Sequence, residues 1–325
     1  MIRPNRKQKI LEILSGGGIV SGESLAGELG ITRPAVWKHV DQLKEEGFTI
    51  ESLQGRGYRL KAVPDILFPD LIRREIDTGH WGREIHHFIR TDSTNIQARI
   101  LAAEGAADGT LVVAEYQEKG RGRLQRNWAS PLSQNLLFSI LLRPPWPPHQ
   151  AFYGTALAAV SLCQSIAEVA GLAVGIKWPN DIYTGNKKLA GILTEFATDP
   201  DRLEHLIIGI GLNCHWAPKE TAPGAQAATC IRAETGQKIS RLRLLARFLH
   251  HGETLYEKAK AEGIGLLRKE WNRYSLTNNR RVKMVTHQRT WSGLAQGIDD
   301  NGALILLLDN GRKETFHTGD VHLRF

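Results

Sequence analysis

Early in the chain the apolar positions recur at helical spacing. Ile10, Leu11, Ile13 and Leu14 give a first helix its apolar face, and Gly16-Gly17-Gly18 stops it. Ser21 is placed to cap a second helix through Leu25, Ala26 and Leu29 that ends at Gly30. Thr32 caps a third, with Pro34 in its first turn; Val36, Val40 and Leu43 share one face and Gly47 ends it. The pattern then turns to strands over 48–53 and 58–60, joined by Gln54-Gly55-Arg56-Gly57. Helix, tight helix pair and hairpin together spell a winged helix-turn-helix. Arg33, Trp37, Lys38 and Gln42 lie off the apolar face of the third helix, where phosphates and base edges would meet them, and Arg56 sits at the wing tip. A protein-interaction module without DNA contact would show the same pattern.

Val63-Pro64-Asp65 and Pro69 read as a linker. Beyond it comes a short strand over 85–89, then a helix that begins at Asp92-Ser93-Thr94, with Ser93 or Thr94 as its cap, and runs through Ile96, Ile100 and Leu101 to Gly105. Apolar runs over 109–117 and 135–142 are core strands flanking a loop. An alanine-rich helix over 149–171 follows, then a strand over 174–178 whose Pro179-Asn180-Asp181 turn leads to a partner strand over 188–196. That pairing puts Lys177 and Lys188 on opposite arms of one hairpin. A further core strand spans 206–213, and the Pro-, Ala- and Gly-rich stretch 214–228 suits a lid. Leu242, Leu245, Ala246, Leu249 and Leu255 mark helices up to about Ser275. The rest is β, with strands over 281–286, 290–298, 303–308 and 313–316 and turns at Asp300-Asn301-Gly302 and Asn310-Gly311, a pattern that fits a small barrel. The expected organisation is α+β and multidomain, divided as 1–63, 64–275 and 276–325.

At 325 residues the chain has room for two or three domains, and 42% hydrophobic with 23% charged residues is ordinary for a globular protein. A net charge of +8 with a pI near 9.4 favours anionic partners, nucleotides or DNA, without choosing between them. Cys163, Cys214 and Cys230 have no CxxC spacing, which argues against a disulfide framework or a zinc site and points to a reducing cytoplasm. Charges break up the first 14 residues, so no signal peptide is expected, and the apolar stretch 156–176 is interrupted by Gln164, Glu168 and two glycines, as in a buried helix and strand rather than a membrane span.

Candidate chemistry centres on Gly120-Arg121-Gly122-Arg123-Leu124-Gln125-Arg126-Asn127-Trp128. Glycines bring backbone N–H groups close to a ligand, and guanidinium forks pair with carboxylate or phosphate oxygens. A solvated basic turn has the same composition, but a loop bridging two core strands is where ligand sites form. Trp128 is either a core aromatic or a platform for an adenine ring. Lys188 opens an otherwise apolar strand, so its ammonium either snorkels outward or faces a cavity. Asp181 serves equally as turn former or as a magnesium-side carboxylate, while Gly209 and Gly211 allow close backbone approach beside Asn213, a candidate hydrogen-bond partner for a nucleotide.

The order EYQ-x-x-GRGR-x-x-R-x-W, KWPND and KLAGIL, with Asp92-Ser93-Thr94-Asn95 upstream and Gly209-Ile210-Gly211-Leu212-Asn213 downstream, resembles the biotin protein ligases from about Asp92 to Asn213. The resemblance implies a central mixed-sheet ligase domain like that of class II aminoacyl-tRNA synthetases and an SH3-like C-terminal barrel. It implies that Ser93, Thr94, Asn95 and Gln117 contact the ureido ring of biotin. Arg121 and Arg123, in a loop (Gly120, Gly122) that orders over the intermediate, would hold the biotin carboxylate and the adenylate phosphate. Lys188 would stabilise charge at the carboxylate and α-phosphate, with Lys177 and Asn180 near the ATP phosphates. The implied reaction uses ATP, Mg2+ and biotin, passes through biotinyl-5′-AMP and modifies a lysine of the biotin carboxyl carrier protein of acetyl-CoA carboxylase.

An N-terminal winged helix marks the bifunctional members, which also bind operator DNA as adenylate-bound homodimers and repress biotin-synthesis genes; no membrane is involved. One departure stands out. Gln125 occupies a position where the family usually has glycine, and glutamine would be strained there if φ must be positive. A lipoate or octanoate ligase, a biotin-sensing repressor without turnover, and a ligase with a non-regulatory N-terminal module are the alternatives.

Overall fold

A computed structural model describes residues 6–45, 48–62, 65–219, 227–286 and 289–323. The chain divides between Ile66 and Leu67 into two compact units.

The first unit runs α1 (Arg6–Leu14), α2 (Gly22–Leu29), α3 (Arg33–Glu45), β1 (Thr49–Leu53) and β2 (Gly57–Ala62). Ile10, Leu11, Leu14, Leu25, Val36, Val40, Leu43, Phe48 and Ile50 are buried. Ser21 caps α2 as expected, its Oγ accepting the Ser24 N–H at 3.0 Å, and Gly30 closes that helix in the left-handed region. The β1–β2 hairpin is antiparallel. Its turn ends at Gly57, whose φ of 122° and contact with the Val20 backbone exclude a side chain. Gly47, Val63 and Pro64, read as a helix stop and a linker, lie outside the described residues. Pro69 does not belong to a linker. It occupies the first turn of a helix, α4 (Pro69–Glu75), where a missing N–H costs nothing.

The second unit continues with β3 (Ile85–Phe88), α5 (Thr94–Ala103), β4 (Thr110–Ala114), β5 (Leu136–Leu142), α6 (Phe152–Ala170), β6 (Gly175–Lys177), β7 (Asp181–Thr184), β8 (Lys187–Thr198) and β9 (Leu203–Leu212). Then come α7 (Ile231–Thr235), α8 (Arg241–Glu262), α9 (Gly265–Tyr274), β10 (Arg281–Val285), β11 (Thr290–Ile298), β12 (Leu304–Leu308), β13 (Lys313–Phe316) and β14 (Asp320–Leu323). The larger sheet is mixed, in the order β3-β4-β5-β9-β8-β7-β6, with β3 and β4 parallel. Strand alternation sends Leu111, Val113, Phe138, Ile140, Ile208 and Ile210 into the core shared with α6 and α8. On the opposite face Val112, Leu141 and Ile207 lie under α5. Farther along that second face the residues become small, with Ser139 opposite Gly209 and Gly191 opposite Gly211. Space opens there instead of core.

Two expectations change. The long helix starts at Phe152, after a single 3-10 turn at Pro148–Gln150. Pro148–Ala170 has the length and apolarity of a membrane span, but its most apolar 18-residue window is 72% buried in the protein, so it is the core helix that the sequence predicts. More consequentially, the partner of β6 is β7, and β8 pairs with β7's other edge. Lys177 and Lys188 therefore sit two strands apart, because Gly185 at φ 53° turns the chain once more than the sequence suggested.

The C-terminal strands form an antiparallel sheet in the order β13-β12-β11-β10-β14, including a last strand that sequence reading passed over. Val282, Met284, Leu304, Phe316 and Val321 join the same apolar cluster as α6 and α9. Trp178 Nε1 donates to Gly302 O at 3.0 Å, which ties the KWPND turn to this sheet.

Candidate functional site

A cavity of about 640 Å³ opens on the small-residue face of the sheet, beneath the arginine loop. At one end a polar cluster is fixed by the N-terminus of α5. Gln117 Oε1 accepts the Thr94 N–H at 2.7 Å and lies 3.2 Å from the Thr94 hydroxyl. Ser139 Oγ, from β5, lies 2.7 Å from both Thr94 Oγ1 and Asn95 Oδ1. Asn95 Nδ2 donates to Leu193 O at 3.2 Å and to Glu195 Oε2 at 2.8 Å. A methyl on Gly209 would land on the Asn95 carbonyl, so the glycine makes room for it. Ser93 occupies the cap position and is buried, but its hydroxyl does not cap the helix. Its N–H goes to Asp92 Oδ1 at 2.6 Å. Burial works against the Asp92 charge, yet bonds from Gln97, Ser93 and Thr91 hold the carboxyl below its usual range. Sequence reading missed Ser139, which no motif marks.

The arginine loop closes on itself: Trp128 N donates to Gly120 O at 2.9 Å and Gly122 N to Arg126 O at 2.7 Å. A side chain on Gly120 would come within 2.5 Å of Trp128 O. The positive φ feared for Gln125 falls one residue earlier, at Leu124 (φ 54°, ψ 35°), which is exposed. Arg121 is exposed at the cavity edge, whereas Arg123 is half-buried and donates to Asn180 Oδ1 at 3.3 Å. Trp128 is a wall of the cavity rather than a core aromatic. Its indole covers Gly211, and a Cβ on Gly191 would lie 3.1 Å from it.

Lys188 faces the cavity and does not snorkel outward. Its Nζ lies 2.7 Å from Asp181 Oδ1 and 5.6 Å from the centroid of Trp128. Lys177 lines the same space, with Nζ 3.3 Å from Tyr183 Oη. Asn180 is committed to the protein, Nδ2 donating to Ile192 O at 2.6 Å while Oδ1 receives Arg123. Asn213 is likewise engaged at both ends of its amide: Nδ2 donates to Thr229 O at 3.0 Å, and Oδ1 accepts from Asn135 at 3.3 Å. These two bonds brace it in the cavity wall. Val321 and His322, from β14, complete the lining.

Among the described residues no group of three His, Cys, Asp or Glu side chains could hold a metal ion. Asp181 is a carboxylate of the cavity wall. A magnesium ion fits here only as one carried on substrate phosphates, since that cation keeps most of its shell as water and phosphate oxygen. Of the lid read over 214–228, residues 220–226 lie outside those described.

In the first unit Arg33, Trp37 and Lys38 are exposed on α3, Gln42 is half-buried on the same helix, and Arg56 is exposed in the hairpin turn. Trp37 is 59% exposed, a large aromatic left in water on a helix whose other face is core.

Residues 87–213 match the biotin/lipoate A/B protein ligase family, residues 6–59 an HTH domain and residues 277–324 the biotin protein ligase C terminal domain. The bifunctional ligase/repressor BirA of Bacillus subtilis is 35% identical over 99% of this chain and 100% of its own length. The Escherichia coli protein of the same name is 29% identical over 97% of this chain and 96% of its own. A biotin protein ligase from Aquifex aeolicus in complex with biotin and ATP superposes with a TM-score of 0.63 at 26% identity, covering 74% of this chain and 99% of that one.

Proposed function

The chain belongs to the biotin protein ligase family in its bifunctional ligase/repressor form, and from that premise we propose how the cavity works. It is an ATP-dependent biotin–protein ligase and a DNA-binding repressor. The carboxylate of biotin attacks the α-phosphate of ATP; an O–P bond forms, the bond to the β-phosphate breaks, and pyrophosphate leaves. The amine of a carrier lysine then attacks the carbonyl of the mixed anhydride, loses a proton and displaces AMP. Neither step needs a nucleophile from the enzyme. Both need charge neutralised, reactants aligned and water kept out.

The observation that carries this reading is Lys188, a half-buried cation aimed into the cavity between Asp181 and Trp128. It takes the carboxylate and α-phosphate oxygens as charge builds up between them. Thr94, Asn95 and Gln117, with Ser93, receive the ureido ring of biotin. Arg121 and Arg123 close over the carboxylate and phosphate, Trp128 stacks beside the adenylate, and Lys177 attends the outer phosphates. Asp181 would be the protein-side carboxylate for a magnesium ion carried on ATP, which would add neutralisation of the triphosphate.

The acceptor is the biotin carboxyl carrier protein of acetyl-CoA carboxylase. Biotinyl-5′-AMP also acts as corepressor by favouring a homodimer that sets two α3 helices on an operator controlling biotin synthesis, with Arg33, Trp37, Lys38, Gln42 and Arg56 at the DNA. The reading takes 1–63 as the DNA-binding domain, 64–275 as a ligase domain of class II synthetase type and 276–325 as an SH3-like barrel, all working in the cytoplasm. The five-strand order supports the barrel, since a meander whose last strand returns beside its first has that topology.

The test is twofold. Incubation with biotin, MgATP and purified carrier domain should add one biotin to the carrier lysine, and biotinyl-AMP should strengthen binding to the protein's own biotin-gene promoter in a mobility-shift assay. An unmodified carrier would remove the ligase reading, and a promoter bound equally with and without the adenylate would remove the corepressor.

A further inference from the structure

The arginine loop leaves the sheet after Glu115 and returns at Asn135, and one buried side chain holds both points. Arg241, the first residue of α8, is completely buried. Its Nη2 donates to Glu115 Oε2 at 2.9 Å and its Nη1 to Asn135 O at 2.7 Å. The Glu115 carboxylate, also fully buried, takes the Leu67 N–H at 2.8 Å and lies 3.3 Å from His87 Nε2. From Asn135 the network runs on. Its Oδ1 accepts Cys214 N at 3.0 Å, and its Nδ2 reaches Asn213. Asn213 bonds Thr229 O, while Thr229 N donates to Lys188 O at 2.9 Å. The bases of the arginine loop and of the 214–228 segment, and the backbone of Lys188, thus share one set of hydrogen bonds.

We infer that Arg241 is a positioning residue for the adenylate site, fixing both ends of the arginine loop so that it closes over the intermediate and keeps it. The inference rests on the ligase reading above. Three features favour positioning over mere stability. A buried ion pair is a poor source of net stability compared with apolar packing. The fork of a guanidinium bonds two strand ends at once, which an ammonium cannot do in the same geometry. Both strand ends belong to the loop that must close.

Removing Arg241 alone would strand a buried carboxylate, so the test removes both charges, as Glu115→Gln with Arg241→Met. A second variant, Arg241→Lys, keeps the charge and loses the fork. Each is compared with wild type for thermal unfolding, for biotin-dependent pyrophosphate exchange, and for escape of preformed radiolabelled biotinyl-AMP on dilution. The expectation is exchange within a few-fold of wild type but escape faster by about tenfold in the double variant, and by less in Arg241→Lys. A folded double variant that keeps the adenylate as long as wild type would overturn the inference, as would an Arg241→Lys that does so if the double variant does not fold. Absence of exchange in wild type would instead count against the ligase reading itself.

Discussion

Lys188 and Asp181 face each other across adjacent strands, Nζ to Oδ1 at 2.7 Å, at the wall of the cavity. The carboxylate neutralises a half-buried ammonium, and on the reading proposed above the lysine exchanges it for the anionic substrate. Lys188→Ala should lower the rate of adenylate formation by about 10²–10³, the cost of losing a preorganised charge in the transition state. Lys188→Arg should recover only part of it. Single-turnover formation of biotinyl-AMP measures both, and an alanine variant within a few-fold of wild type would contradict the assignment.

Two glycines on β9 separate the two ends of the cavity. A methyl at 209 meets the Asn95 carbonyl, and one at 211 meets the Trp128 indole. Gly209→Ala should therefore raise KM for biotin more than KM for ATP. Gly211→Ala should displace Trp128 and speed loss of the adenylate. Overpacking of this kind costs about 1–3 kcal/mol, so each effect should be on the order of tenfold or more. Equal effects of both substitutions on both substrates would show that the two ends are not distinct.

Acid should reveal the buried network. Burial raises the Glu115 carboxyl, but the Arg241 guanidinium, with His87 and the Leu67 N–H, overrides it and holds it at about 2 against an ordinary 4.5. A pKa depressed by folding stabilises the protein above the unfolded value, and that contribution disappears as pH falls from about 4.5 toward 2. The loss should be on the order of 3 kcal/mol. Chemical denaturation of wild type and of the double variant Glu115→Gln with Arg241→Met, which leaves no buried charge unpaired, should show the wild type alone carrying that slope across this window; parallel curves would contradict it.

On the DNA side, Arg33→Ala and Arg56→Ala should each weaken operator binding and lower the salt slope by about 1, as expected for one lost phosphate contact. Trp37→Ala should weaken binding with little change in slope, because it removes apolar contact and no charge. Fluorescence anisotropy against salt concentration distinguishes these outcomes.

The sequence disclosed most where local rules decide structure. The cap at Ser21 and the face of Val36, Val40 and Leu43 are short-range features, and the two helices they predict are the ones observed. The arginine loop and the KWPND and KLAGIL segments were legible because charged residues interrupt apolar strands there, and the fold brings them to one cavity. What escaped depends on partners distant in sequence. The four residues of β7 are too short for a periodic signal, and without them Lys177 and Lys188 were put on one hairpin. The bracing of Asn213 has no local signal, because Asn135, which donates to its carbonyl, is 78 residues away. Arg241 reads as an ordinary charged residue at a helix start, and its role emerges only when Glu115 and Asn135 meet it.

The most direct test of the account is biotin-dependent exchange of labelled pyrophosphate into ATP by wild type, Lys188→Ala and Arg121→Ala. Exchange in the wild type with biotin but not lipoate, lost or strongly reduced in both variants, is the predicted result. A well-folded wild type that shows no exchange with biotin would contradict the account at its centre.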